Sequence, residues 1–329
     1  MNRDSEPAIF TIDNEKAFHD RAMEIFRFQA SENNIYKDYL SGLKINPSRI
    51  STLTDIPFLP IEFFKTHKVY CGRSGPELVF ESSGTSGMAA SKHYVARSDL
   101  YEQSFRLAFE QFYGDPAEIC LLALLPSYLQ RENSSLVYMM QKLIQRSRHP
   151  ESGFYLDDLA SLSKVLENRI ADKHKTILLG VSFALLDFAE KSPFYFSANI
   201  IIIETGGMKG RRKEMVRSEL HQQLKKAFNV PTVHSEYGMT ELLSQAYSTG
   251  AEKFMTPPWM KVFCRDMYDP LSAVETGQSG AINVIDLANI YSCSFIATSD
   301  LGRVLQSGQF EITGRFDQSD IRGCNLLVS

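Results

Sequence analysis

The chain has 329 residues, 43% hydrophobic and 22% charged, with a net charge of −4. That is the make-up of an ordinary globular enzyme with one large domain or two, and the absence of a basic tract removes any electrostatic case for nucleic acid. The polar N-terminus lacks an apolar leader core, no apolar stretch is long enough to span a bilayer, and the five cysteines (Cys71, Cys120, Cys264, Cys293, Cys324) form no CxxC pair. Zinc and secretion are therefore not expected, and reduced thiols in the cytoplasm are.

In chain order, Phe18, Ala22, Ile25 and Phe26 are spaced for one amphipathic helix from Glu15 to Tyr39. A proline-rich connector leads to a short helix at Ile61–Thr66, a strand–loop–strand at 77–96 and a helix at Ser98–Phe112 with Ser98 and Asp99 as capping candidates. Buried strands then alternate with helices: strands at Ile119–Leu125, Thr176–Leu179, Asn199–Ile203 and Thr232–His234, helices at Asn133–Gln145, Leu159–Ile170, Ser182–Lys191 and Arg212–Phe228. Such alternation predicts an α/β unit with a largely parallel sheet. Lys209-Gly210-Arg211-Arg212-Lys213, the densest basic run, falls where the last of these helices is expected to begin. The final third reads as strands at Lys261–Cys264, Gly280–Leu287, Ser294–Ala297 and Phe310–Thr313, an antiparallel or barrel-like part.

Four clusters carry chemistry. Ser82-Ser83-Gly84-Thr85-Ser86-Gly87 follows the apolar run Leu78-Val79-Phe80 and is dense in backbone N–H and hydroxyl donors. It reads as a phosphate-binding hairpin or as a plain surface turn; no Gly-Lys-Ser/Thr makes it a Walker A loop. Glu204-Thr205-Gly206-Gly207 is a strand-ending turn or a surface for a flat ring. Ser235-Glu236-Tyr237-Gly238-Met239-Thr240-Glu241 combines an aromatic, a glycine, a hydroxyl and a carboxylate. Thr298-Ser299-Asp300-Leu301-Gly302 precedes Gly314-Arg315-Phe316-Asp317. The last three are expected at strand ends, where open α/β sheets hold ligands. His67, His93 and His234 lack a spaced partner for a metal or triad and read as structural or pocket-lining.

Taken in order, these clusters resemble the motif series of the adenylate-forming superfamily of acyl-CoA synthetases, luciferases and non-ribosomal adenylation domains. Leu125–Leu136, Glu204–Gly210 and Asp320–Cys324 are similar to segments of its acyl-protein synthetase branch, which includes the fatty acyl-protein synthetase of bacterial bioluminescence. The resemblance runs from around Ile56 to the end. It departs at Ser86, where threonine is usual, and in Met88–Ser91, where a Gly/Pro-Lys pattern is usual, which leaves Lys92 without a clear role.

The resemblance implies an α/β adenylate-forming large-domain fold: largely parallel sheets flanked by helices, a smaller β-rich subdomain, and no C-terminal lid domain, since fourteen residues follow Arg315. Its parts would be a helical lead-in at 1–75, a nucleotide-binding core at 76–255 and a β-rich part with an acyl-acceptor tail at 256–329. It implies that Ser82, Ser83, Gly84, Thr85, Ser86 and Gly87 cradle the phosphates of ATP, and that Gly206, Gly207, Tyr237 and Gly238 line the adenine. Thr240 would touch the α-phosphate, Glu241 would hold Mg²⁺ through the phosphates, and Asp300 with Arg315 would bind the ribose. Cys324 would accept the acyl group, or is a small apolar filler. The implied reaction is ATP-dependent activation of a carboxylic, fatty, acid to acyl-AMP followed by transfer to a protein thiol, with an acyl reductase or acyl-carrier protein as partner. A CoA ligase of the phenylacetate type and a nucleotide-binding subunit without turnover are the alternatives.

Overall fold

A computed structural model of the protein describes residues 7–315 other than 73, 83–88, 126–132, 157, 192–193, 209–211 and 214. The expected first helix is two: α1 (Glu15–Glu32) and α2 (Asn34–Gly42). Asn33 separates them because its backbone is extended and its side chain accepts the Tyr36 N–H, capping the second helix while its own N–H closes the first. The connector contributes β1 (Leu59–Pro60) and α3 (Phe63–Thr66).

The hairpin is present as β2 (Leu78–Glu81) and β3 (Lys92–Val95), paired antiparallel from Leu78–Val95 to Glu81–Lys92. It leads into α4 (Ser98–Tyr113), whose cap differs from expectation. Ser98 donates both its N–H and its hydroxyl to the Glu77 carboxylate, 2.8 and 2.7 Å away, so an acid brought in by the preceding strand satisfies the helix start.

Next come β4 (Cys120–Leu124), α5 (Ser135–Arg146), β5 (Gly153–Phe154), α6 (Leu159–Asp172), β6 (Thr176–Val181), α7 (Ser182–Lys191), β7 (Ile200–Thr205), α8 (Arg217–Phe228), β8 (His234–Tyr237) and β9 (Ala246–Ser248). Among the described residues they form a six-stranded sheet in the order β5-β4-β6-β7-β8-β9, parallel but for β9. Strands β4 and β6 are buried along their whole length, as two helix-covered faces require. Most boundaries move by one or two residues, and those of α8 and β8 move further. α8 starts at Arg217 rather than Arg212, whose guanidinium instead pairs with Asp187 and Glu190 on α7. β8 starts at His234 and runs through Tyr237, so Ser235, Glu236 and Tyr237 are strand residues.

The last third forms β10 (Met260–Arg265), β11 (Ser279–Asp286), β12 (Phe295–Val304) and β13 (Phe310–Arg315), paired antiparallel in sequence. Strand β12 is longer than the expected Ser294–Ala297. Its first half takes β1 as a parallel neighbour and its second half takes β13, with a register shift at Leu301/Gly302. Asp300 therefore lies inside a strand, not beyond one. The helical lead-in packs on this β-rich part: buried Gln29 donates to the carbonyls of Asn289 and Ile290, at 3.0 and 2.7 Å, and accepts the Ser294 N–H.

Candidate active site

The ends of β7 and β8 meet the β2–β3 hairpin and the β12–β13 ladder at one edge of the parallel sheet. The hairpin neck is closed by Ser82, whose N–H donates to the Ser91 carbonyl at 3.0 Å and whose hydroxyl accepts the Ser91 N–H at 2.8 Å. Ser83, Gly84, Thr85, Ser86 and Gly87 lie outside the described residues. Lys92 pairs with its cross-strand neighbour Glu81 at 3.1 Å.

At the end of β7, Gly206 has φ +70°, a conformation that side-chain-bearing residues seldom adopt, and it turns the chain sharply ahead of half-buried Gly207. The Ser182 hydroxyl holds this turn through the Gly206 carbonyl, 3.2 Å away. One strand over, Tyr237 is buried edge-on against Phe254 and Phe310, and its hydroxyl donates to Asp300 at 2.8 Å. Burial and the adjacent Asp300 charge raise the Tyr237 pKa well above its ordinary value, so the hydroxyl keeps its proton. Asp300 faces Arg315 across the β12–β13 ladder, with 3.5 Å between carboxylate and guanidinium. It is aimed by its neighbours: its N–H donates to Thr298 Oγ1, and Arg265 grips the Thr298 carbonyl at 2.7 Å.

Thr240 and Glu241 follow β8 in a turn. The Thr240 carbonyl accepts from His93 Nδ1 at 2.8 Å, and the Glu241 carbonyl accepts from the Asn289 amide at 2.8 Å. His93 Nε2 lies 2.9 Å from Asn289 Oδ1, which joins the hairpin, the Thr240–Glu241 turn and the 289 turn in one buried network. Burial pushes the His93 pKa down to about 4, against the two oxygens that face its ring nitrogens; with Nδ1 carrying the proton of a neutral ring, only the Thr240 carbonyl receives a hydrogen bond. Just beyond, buried Asp286 accepts from the N–H groups of Leu243 and Ser244 and the Ser244 hydroxyl, at 2.7, 3.0 and 2.6 Å, fixing the far side of the turn.

The Glu241 side chain is buried, and that burial raises its pKa, against a hydrogen bond from Ser91 and the positive charges of Arg315 and Lys65. Among the described residues no cluster of three metal-binding side chains exists. Glu241 is a single carboxylate, and Mg²⁺ is commonly held by one or two carboxylates together with substrate phosphates.

A cavity of about 130 Å³, partly open to solvent, lies between Thr205–Gly206, Glu236–Thr240, Gln245, the start of α5 and Tyr101. Of two buried carboxylates on neighbouring strands, Glu236 lines it and Glu204 does not, and their tendencies are opposite. Burial works against ionising Glu204, but hydrogen bonds from His221 and Ser235 and the Arg217 charge hold its pKa below the ordinary value. Glu236, on the neighbouring strand, has no cationic partner among the described residues; burial pushes its pKa up to about 7, and the Thr205 hydroxyl donates to it.

The structure thus brings together Ser82, Gly206, Gly207, Tyr237, Gly238, Thr240, Glu241, Asp300 and Arg315. Cys324 lies outside the described residues. The other four cysteines are free thiols; Cys71 is half-buried and the rest are buried. Burial raises the pKa of Cys71 and Cys293 to about 12 and of Cys120 to about 11, which leaves them unreactive. Sequence reading named His93 as structural or pocket-lining and passed over Asn289, Gln245 and the wall position of Glu236. The acid in Ser235-Glu236-Tyr237, directly after an expected strand, was the one available signal for Glu236.

Comparison with solved structures gives similar chains of low identity. A 2-hydroxyisobutyryl-CoA ligase in complex with 2-HIB-AMP and CoA superposes with TM-score 0.66 at 14% identity, over 97% of this chain and 72% of that one. ATP-bound MatB from Rhodopseudomonas palustris gives 0.54 at 18%, over 74% of this chain and 49% of its own. An ATP-bound RpMatB-BxBclM chimera gives 0.55 at 17%, with the same coverage. The protein spans about half the length of the MatB chains, and it has the fold of the adenylate-forming ligases. No curated protein matched its sequence. No helix among the described residues is long and apolar enough to cross a membrane. The family model described as "Acyl-protein synthetase, LuxE" matches residues 3–329. The chain belongs to the LuxE acyl-protein synthetase family.

Proposed function

We propose that this protein activates a carboxylic acid with ATP and passes the acyl group to a protein thiol. The observation that carries the reading is the assembly of Tyr237, Asp300 and Arg315 beside the Thr240–Glu241 turn and the Ser82–Ser91 hairpin neck, at the carboxyl ends of parallel strands. Asp300 would hold the ribose diol, Gly206, Gly207, Tyr237 and Gly238 would border the adenine, and Ser82 to Gly87 would take the phosphates. Thr240 would donate to the α-phosphate. Glu241 would hold Mg²⁺, which stabilises charge on the phosphate oxygens when bound.

In the first step a substrate carboxylate oxygen bonds to the α-phosphorus as the α–β phosphoanhydride breaks, and the electron pair leaves with pyrophosphate. Fixed hydroxyl and N–H donors stabilise the charge without reorganising. In the second, a thiolate attacks the acyl carbon, AMP leaves with its oxygen, and the thiol proton passes to solvent. Cys324 is our candidate thiol, with an acyl-carrier protein or reductase receiving the group in turn, in the cytoplasm.

Measuring ATP–pyrophosphate exchange over a panel of acids tests the first step. Acid-dependent exchange is expected; nucleotide binding with no exchange for any acid would overturn the reading in favour of a subunit without turnover. For the second step, Cys324→Ala should retain exchange and lose covalent labelling by radiolabelled acid. Labelling that persists rules out Cys324, and thioester formed only when CoA is supplied would point to a CoA ligase.

A further inference from the structure

We infer that the cavity beside β8 selects acids whose carbon chain carries a hydrogen-bond donor, a hydroxyl or an ammonium, received by Glu236 and Gln245. This rests on the activation reading above and names the substrate class for it.

Glu236 lines the cavity, is buried, and is held on one side by the Thr205 hydroxyl. A buried carboxylate is normally matched by a cation or a full set of donors. Glu204 has that company in Arg217, and Glu236 does not. The titratable groups facing Glu236 are Glu204 and the buried tyrosines Tyr101, Tyr113 and Tyr247, none of them cationic. Gln245, 4% exposed, lines the same cavity, and its Oε1 has no hydrogen-bond partner among the described residues.

The two polar groups are adjacent. A Cβ placed on Gly238 would lie 2.4 Å from Glu236 Oε1 and 3.4 Å from Gln245 Cγ. The glycine thus leaves space for a carboxyl and an amide to sit side by side, and a side chain there would displace the carboxyl. Leu136 and Met139 add apolar lining to the cavity, which is partly open to solvent.

Thr240, where the phosphates are expected, lines the same cavity, so the substrate carboxylate faces it. The other end of the acid meets Glu236 and Gln245. A site built to bond a hydroxyl or amine rejects the analogue lacking it, because its buried polar groups are then stranded.

The test compares short straight-chain acids with their hydroxy and amino counterparts, and with a long saturated fatty acid, in pyrophosphate exchange. Wild type should favour donor-bearing acids by more than about tenfold in kcat/KM. Glu236→Leu should erase or invert that ratio, and Gln245→Leu should reduce it. Preference of the wild type for unsubstituted or long-chain acids, or a ratio unmoved by Glu236→Leu, overturns the inference. Calorimetric binding of the same acids without ATP reads the cavity apart from turnover. Selective binding with no exchange overturns the activation reading and leaves the cavity's selectivity standing, whereas binding that ignores the donor overturns the selectivity alone.

Discussion

Asp300 and Glu236 show how the fold gives two carboxylates different company. Asp300 accepts from Tyr237 and faces Arg315, and in the proposed function it holds the ribose diol. Asp300→Ala should raise the KM for ATP by more than about tenfold, while Asp300→Asn, which keeps an acceptor for Tyr237, should lose less; steady-state kinetics in ATP measures both. Glu236 binds its proton more tightly in the folded protein, at about 7, than at its ordinary 4.5. Its contribution to stability is therefore present below about pH 4.5 and lost as pH rises through 7. Glu236→Gln should gain up to about 3 kcal/mol on wild type between pH 5 and 8 in denaturant titrations, an order-of-magnitude bound set by the shift. Glu204, whose pKa is lowered, acts with the opposite sign, and because its charge also acts on Glu236 its share changes in the variant.

At the scale of elements, the hairpin and the Thr240–Glu241 turn are held together by one imidazole. His93→Phe keeps the bulk and removes the ring nitrogens that face the Thr240 carbonyl and the Asn289 amide, which should free the turn and raise the KM for ATP at least about tenfold in pyrophosphate exchange, with the chain still folded by circular dichroism. Periodicity and β-branched runs made most elements legible, because burial on two helix-covered faces leaves a continuous apolar record in the chain. Ser182–Lys191 matches to the residue. Where reading failed, a distant partner decided the outcome. Glu77, brought in by the hairpin, caps α4 in place of a local side chain. Asn33 splits a helix whose apolar spacing never breaks, because the Ser292 carbonyl takes its amide at 2.8 Å. The same holds in the site: Tyr237, Thr240, Glu241 and Asp300 are visible as motif letters, but His93, Asn289 and Gln245 gain their meaning only from contacts across the fold.

For the whole molecule, the helical lead-in and the β-rich part are joined more closely than their separation in sequence suggests. Gln29 is fully buried, and its amide satisfies three backbone groups between Asn289 and Ser294, beside the Asn289 amide that holds the Glu241 carbonyl. Gln29→Leu leaves those groups unpaired and should cost about 2–4 kcal/mol, read as a lowered denaturation midpoint. Because Asn289 moves with that loop, exchange activity should fall in the same variant below its unfolding transition.

The pairing of Asp300 with Arg315 also sets a leash. Residue 315 is fixed opposite the proposed ribose site by the β12–β13 ladder, and Cys324 follows it by nine residues. Nine residues span at most roughly 30 Å even when fully drawn out. In the proposed reaction the accepting sulfur therefore never has to be found by diffusion. It is moored to the strand that carries Arg315, and lengthening the chain between 315 and 324 should slow self-acylation while pyrophosphate exchange stays unchanged.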